Sequence, residues 1–153
     1  MATRWLVAYD FSPQAEHAVE VAVAQLVPRD GELILAHVHR PLSSSFGAEF
    51  ASLSPAFTEV EVTVAEAATA RLKSIADRLA GQYPGLKIQT LVGSGDPAEV
   101  IASMAADEEV EQIVVGSHGR RGLKRFFLGS VAERVVREAD RNVLVVKTPN
   151  PDE

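Results

Sequence analysis

The sequence predicts an α/β fold, an open five-stranded parallel sheet with helices on both faces, and three observations predict it. Five short apolar runs, Trp5–Tyr9, Leu33–Val38, Ile88–Val92, Ile113–Val115 and Val143–Val146, are nearly continuous rather than alternating. Strands buried on both faces read that way. Segments of helical period lie between the runs, giving the order β-α-β-α-β-α-β-α-β, which implies a parallel sheet with right-handed crossovers. The 153 residues contain no internal repeat and no break in composition. Residues 1–153 are therefore read as one domain, long enough to bury a core.

The first strand runs into Tyr9-Asp10-Phe11-Ser12. A helix over 13–28 follows, with Ala15, Ala18, Ala22 and Leu26 on its apolar face. Ser12 suits its cap, and Pro13 its first turn. After the second strand, residues 40–57 carry Pro41, Ser43, Ser44, Ser45, Gly47 and Pro55 and read as a long surface loop, a candidate lid. Val64, Ala68, Leu72, Ile75 and Leu79 form the stripe of a helix over about 58–82. Gly93-Ser94-Gly95 reads as a turn feeding a helix over 97–106. Val100, Ile101, Met104 and Ala105 would face inward there, with Asp96 as cap, Pro97 in the first turn and Glu99 as capping-box partner. The last helix, 130–139, presents Ala132, Val135, Val136 and Ala139, and Ser130 and Glu133 have capping-box spacing. The tail from Thr148 carries two prolines and no apolar anchor, and is expected to fray.

Bulk properties exclude several classes of function. The net charge of −6 argues against nonspecific attraction to nucleic acid or anionic membranes. No apolar run is long enough to span a bilayer. Cysteine is absent, which removes disulfides, thiol chemistry and cysteine metal sites. The N-terminus lacks the ordered features of a secretion signal, and a cytoplasmic location is expected.

Ligands of open α/β sheets bind beyond the carboxyl ends of the strands, where strand order reverses. Two loops are equipped for this: the Asp10 turn, and the stretch from Gly116 to Ser130 after the fourth strand. In the second, Gly116 and Gly119 let main chain approach a ligand without a Cβ in the way, and successive N–H groups there can form an anion nest. Gly129 and Ser130 open a helix whose free N–H groups and dipole favour phosphate. Arg120, Arg121, Lys124 and Arg125 concentrate positive charge beside them, which suits a small anion. Each residue has a plainer explanation, a turn glycine or a cap serine. In register with the four basic residues, phosphate binding is the better reading.

Gly116, Gly119, Gly129 and Ser130 reproduce the G-x-x-G-x9-G-(S/T) pattern, and the sequence resembles the ATP-binding universal stress proteins. Asp10, Gly116-Ser117-His118-Gly119, Gly95-Asp96-Pro97-Ala98 and the closing Val143-Leu144-Val145-Val146 are similar to that family as well, over residues 3 to 147. The resemblance implies strand order 3-2-1-4-5, an adenine-nucleotide alpha-hydrolase-like fold, and ATP, with Mg2+, between the ends of strands one and four. Ala8, Tyr9 and Asp10 would then line the adenosine end, and Val38 the adenine. Val115, Gly116, His118, Gly119, Gly129, Ser130 and Val131 would follow the ribose and phosphates, with Asp10 also on the metal side. Tyr9 stands where many relatives have Thr or Val and is expected to narrow or reshape the adenosine pocket. The resemblance further implies a homodimer through the last strand, Val143, Leu144, Val145 and Val146. A partner such as a transporter or regulator is also possible for the family.

Other readings are weaker. His37 and His39 share one strand face but have no third ligand in view. There is no G-x-x-x-x-G-K-(S/T), no G-x-G-x-x-G after the first strand and no G-x-S-x-G elbow. A receiver domain would need an aspartate ending strand three, where Leu91-Val92-Gly93 stands. Three functions remain open: a nucleotide-sensing regulator, a slow ATPase or phosphotransferase, and a partner-binding regulator with weak nucleotide affinity. No catalytic pair is recognisable, which favours binding over turnover.

Overall fold

The structure, a computed structural model, describes residues 2–47, 49, 55–118 and 128–149. In chain order the elements are β1 (Arg4–Ala8), α1 (Pro13–Leu26) with a 3-10 turn (Val27–Arg29), β2 (Glu32–His39), α2 (Ser43–Phe46), α3 (Pro55–Gln82), β3 (Lys87–Ser94), α4 (Pro97–Asp107), β4 (Gln112–Gly116), α5 (Ser130–Glu138) and β5 (Asn142–Val146). The strands form one all-parallel sheet in the order β3-β2-β1-β4-β5. Both the sheet and its order agree with the sequence reading.

Alternation along the central strand divides the core. Trp5 and Val7 of β1, and Tyr9 just after it, face α1 and the Leu72–Leu79 stripe of α3. Leu6 and Ala8 face α4 and α5, among Ile34, Ile101, Ala105 and Val135. Because both faces are covered, successive residues must all be apolar, which is why the strand runs are continuous. Complete burial of Leu6, Leu33, Leu35 and Ile113 contributes about 1.5–3 kcal/mol per side chain.

Helix starts follow the side chains that cap them. The Ser12 hydroxyl accepts from the Ala15 N–H at 3.1 Å, and Asp96 accepts from Glu99 N–H at 3.2 Å, each with a proline in the first turn. The reciprocal half of the second capping box is replaced: the Glu99 carboxylate lies 3.7 Å from Arg134. Ser130 is not a cap. Gly129 holds that position, since its carbonyl accepts the first helical bond, from Glu133 N–H, leaving Ser130 exposed at the first helical residue. Glu133 pairs with Arg137 instead. Val136, expected inside, is 49% exposed, and Val131 packs against the core in its place.

The stretch 40–57 is not a plain loop. It contains α2, whose Phe46 meets Phe57 at 5.9 Å, and the Leu42 N–H bonds Glu61 at 3.0 Å. Pro55, a good first-turn residue, starts α3 ahead of the expected 58; residues 48 and 50–54 lie outside the described residues. With 28 residues α3 is about 42 Å long, whereas the eight of β3 span about 26 Å. Its first half therefore overhangs the carboxyl ends of the strands, and Val64, expected in the stripe, is 42% exposed. At the other boundary, Gly93 and Ser94 are strand residues rather than a turn. A Cβ on Gly93 would come within 2.6 Å of Met104.

One polar link crosses the α1–α3 layer. Tyr9 donates to Glu16 at 2.7 Å, and Arg78 of α3 donates to the other Glu16 oxygen at 2.5 Å. Burial alone would raise the Glu16 carboxyl, but the hydrogen bonds from Arg78 and Tyr9 outweigh it and hold it below its ordinary value of 4.5. Burial, then the Glu16 bond, pushes the Tyr9 phenol upward. A depressed carboxyl stabilises the fold above its unfolded value and loses that contribution as pH falls through the folded one. Glu16→Gln should thus be less stable than the parent at pH 7, with the gap closing toward pH 3. Urea unfolding at both pH values measures it, and a gap independent of pH would refute the role given to the ionised carboxylate.

Candidate functional site

β1 and β4 are neighbours, paired Trp5 to Gln112 through Val7 to Val114. From β1 the chain passes into α1, over one face, and from β4 it reaches α5, over the other. Past their carboxyl ends the sheet opens into a cavity of about 140 Å³. It lies on the α4–α5 face, where the last pair in the β1–β2 register is two alanines, Ala8 and Ala36. Small side chains there leave the room that a leucine pair would fill.

Eight residues expected at a site line this cavity: Ala8, Tyr9, Asp10, Val38, Val115, Gly116, His118 and Val131. Gly129 and Ser130 do not line it, and Gly119 and the basic residues Arg120, Arg121, Lys124 and Arg125 lie outside the described residues. Sequence reasoning missed Ala15, Ala36, Pro97, Ile101 and Ala132, which also form the wall. The facing alanines and the Asp96-Pro97 helix start were the available signals.

Each wall residue has a local cause. Asp10 is fixed by a turn in which its Oδ1 accepts from Ser12 N–H at 3.0 Å. Tyr9 lines the cavity but reaches across the sheet. Its ring belongs to the opposite core layer, where its hydroxyl holds Glu16, and its N–H and carbonyl bond Ala36 and His37 at 2.7 Å. That bond engages His37 with main chain, while His39 Nδ1 is buried without a partner. Among the described residues no three His, Asp or Glu side chains are grouped to hold a metal. Gly116 is closely packed: a Cβ would lie 3.3 Å from the His118 carbonyl and 3.4 Å from Gln14. Gly129 closes the base of the long loop: its N–H donates to the Ser117 carbonyl at 2.8 Å, while Ser117 N–H continues the β4–β5 ladder to Val146.

The polar equipment is sparse. His118 Nδ1 lies 3.0 Å from Ser117 Oγ, and its Nε2 is buried with no hydrogen-bond partner, at the wall of the cavity. A buried ring nitrogen without a partner is costly and becomes intelligible if a ligand atom meets it. The N–H groups of Ser130, Val131 and Ala132 precede the first helical bond of α5 and carry its positive dipole end. A mostly apolar wall with a carboxylate, an imidazole and a helix start suits a flat heterocycle bearing an anionic group. Above it, Arg134 of α5 donates to both Asp96 oxygens at 2.7 Å and to Glu138 at 3.0 Å, tying α5 to the start of α4. The Arg134 bond, followed by the Glu99 N–H, holds the Asp96 carboxyl below its usual range.

The same fold recurs in known proteins. The family model described as Universal stress protein family matches residues 1–147. Universal stress protein MJ0577 of Methanocaldococcus jannaschii is 33% identical over 149 residues, covering 92% of each chain. Its solved structure superimposes with a TM-score of 0.82 over 98% of this chain and 99% of that one. Two more distant solved structures, each 22% identical with a TM-score of 0.65, share the fold. One is a universal stress protein in complex with cAMP, matched over 94% of this chain and 95% of that one. The other is an Arabidopsis thaliana family protein with AMP bound, over 98% and 94%. With the sheet order and nearly the whole length in agreement, the chain belongs to the universal stress protein family.

Proposed function

We propose that this protein is an adenine-nucleotide-binding regulator, with ATP and its Mg2+ as the ligand and a homodimer as the working form. The observation that carries this reading is the cavity at the β1–β4 junction, where Asp10, the unpartnered His118 Nε2 and the base of the Gly116–Ser130 loop meet. At 140 Å³ it is below the roughly 300–1,000 Å³ of a pocket that swallows a whole ligand. It suits the base end, with sugar and phosphates running out toward α5. Asp10 would accept from the ribose or hold the metal side, and the first turn of α5 with the basic loop would take the phosphates. The cAMP and AMP complexes belong to proteins too distant to carry more than the fold; the nucleotide assignment rests on the residues of this chain.

Binding is favoured over turnover. Phosphoryl transfer needs held metal ions and a positioned base or water, and among the described residues the cavity offers the Asp10 carboxylate and the His118 imidazole. A regulatory role in stress, through the dimer or a protein partner, is the function this leaves. The dimer is assigned to β5, an edge strand with Val143, Leu144 and Val145 only partly covered; an apolar edge of that kind pairs readily.

Protein stripped of copurifying nucleotide should bind ATP with micromolar affinity, about −8 kcal/mol, by titration calorimetry against ATP, ADP, AMP and cAMP. Gly119→Val should weaken this at least about tenfold without unfolding the chain. A stripped, folded wild type that binds none of the four would sink the assignment. Separately, Val145→Lys should convert the dimer to monomers in light scattering; a variant that stays dimeric places the interface elsewhere.

A further inference from the structure

Phe11 lies outside the cavity wall, yet its surroundings tie it to the site. Its φ is +63°, left-handed backbone in a residue with a bulky side chain, which an L-residue disfavours about tenfold in population. Such an outlier persists only where neighbouring structure enforces it. Here the enforcement comes from rings and a cation on the α1–α3 face. The Phe11 ring meets Tyr9 edge-on at 5.2 Å and His37 at 4.7 Å, and the Arg71 guanidinium of α3 sits 3.9 Å above its centre. Tyr9 and His37 are themselves fixed, the first to Glu16 and the second to the Tyr9 carbonyl.

Directly before Phe11 stands Asp10, which lines the cavity and bonds Ser12 N–H across Phe11. Directly after it Ser12 returns to extended backbone and caps α1. The left-handed step at Phe11 is thus what turns the chain between the two and lets the Asp10 carboxylate fold back on the turn at the cavity. We propose that Phe11 is a positioning residue for the nucleotide site. Clamped by Arg71, His37 and Tyr9 on one side of the sheet, it holds the Asp10 carboxylate in place for the ligand's hydroxyl on the other.

This proposal rests on the nucleotide reading above. It separates two contributions that glycine and alanine divide differently. Glycine adopts the left-handed turn without strain but leaves it unclamped. Alanine loses the clamp and keeps the strain.

The experiment is calorimetric titration of ATP into stripped wild type, Phe11→Ala, Phe11→Gly, Arg71→Met and Asp10→Asn, and into the Phe11→Ala/Asp10→Asn double variant, with circular dichroism and urea midpoints confirming the fold. Phe11→Ala should bind about tenfold more weakly. Phe11→Gly should fall between it and wild type, and Arg71→Met should lose about threefold. On the Asp10→Asn background, Phe11→Ala should cost less than about twofold, because the carboxylate it positions is already gone. Equal losses on both backgrounds would show that Phe11 acts independently of Asp10 and overturn the proposal. So would wild-type affinity in a folded Phe11→Ala. Should that variant not fold, unchanged affinity in both Phe11→Gly and Arg71→Met overturns it equally. A wild type that binds no ATP removes the nucleotide reading and this proposal together, whereas a wild type that binds while the variants match it removes this proposal alone.

Discussion

At the β1–β4 junction two adjacent parallel strands release the chain in opposite directions, into α1 over one face and toward α5 over the other. Neighbouring helices cannot fill the gap this leaves at the carboxyl ends, and the rest of the molecule is arranged around that gap. The strand order puts β1 in the middle, so its residues must serve both core layers. The end of β1 then delivers one residue to each: Ala8 to the cavity face and Tyr9 to the α1–α3 layer. Gly116 lets the end of β4 come against Gln14 at the start of α1.

The two faces of the junction divide the work. On the α4–α5 side the groups are small or sparse: Ala8, Ala36, Val38 and Val115, with Asp10 and His118 as polar points and Arg134 bridging the helices above. On the α1–α3 side the groups are large, aromatic and mutually bonded, from Tyr9 and Glu16 to Phe11, His37, Arg71 and Arg78. A dense cluster behind the turn and open space before it is the arrangement expected of a site held in advance of its ligand. Order set up beforehand is ordering that binding does not have to supply.

Much of this was legible. The strands, their parallel packing and the Ser12 and Asp96 caps follow from apolar runs and turn chemistry, because burial on two faces leaves a pattern no other environment produces, whereas most of the cavity wall was legible through the family resemblance. The rest depended on length and register that no local rule carries. Val64 has the right period for a buried stripe, but α3 is longer than the sheet it covers, so period and burial part company. Ser130 has the composition of a cap, yet the bond from Gly129 to the Ser117 carbonyl fixes the chain one residue earlier, and the glycine takes the position. α2 was hidden in a serine-rich stretch whose helical turn is held by long-range contacts, Phe46 to Phe57 and Leu42 to Glu61.

The left-handed backbone at Phe11 is the least legible feature, for a physical reason. A glycine or asparagine would have announced the turn; phenylalanine conceals it, since the contacts that stabilise the conformation come from β2 and a helix sixty residues away in sequence. The apparent conflict between local preference and fold is resolved by what the ring does. Glycine would satisfy the turn and nothing else, whereas phenylalanine accepts the strain and gives α3 its grip on the loop that carries Asp10. Rules broken locally and supported from a distance are characteristic of functional positions. In this chain the break falls next to the carboxylate of the cavity, at the point where the strand order reverses.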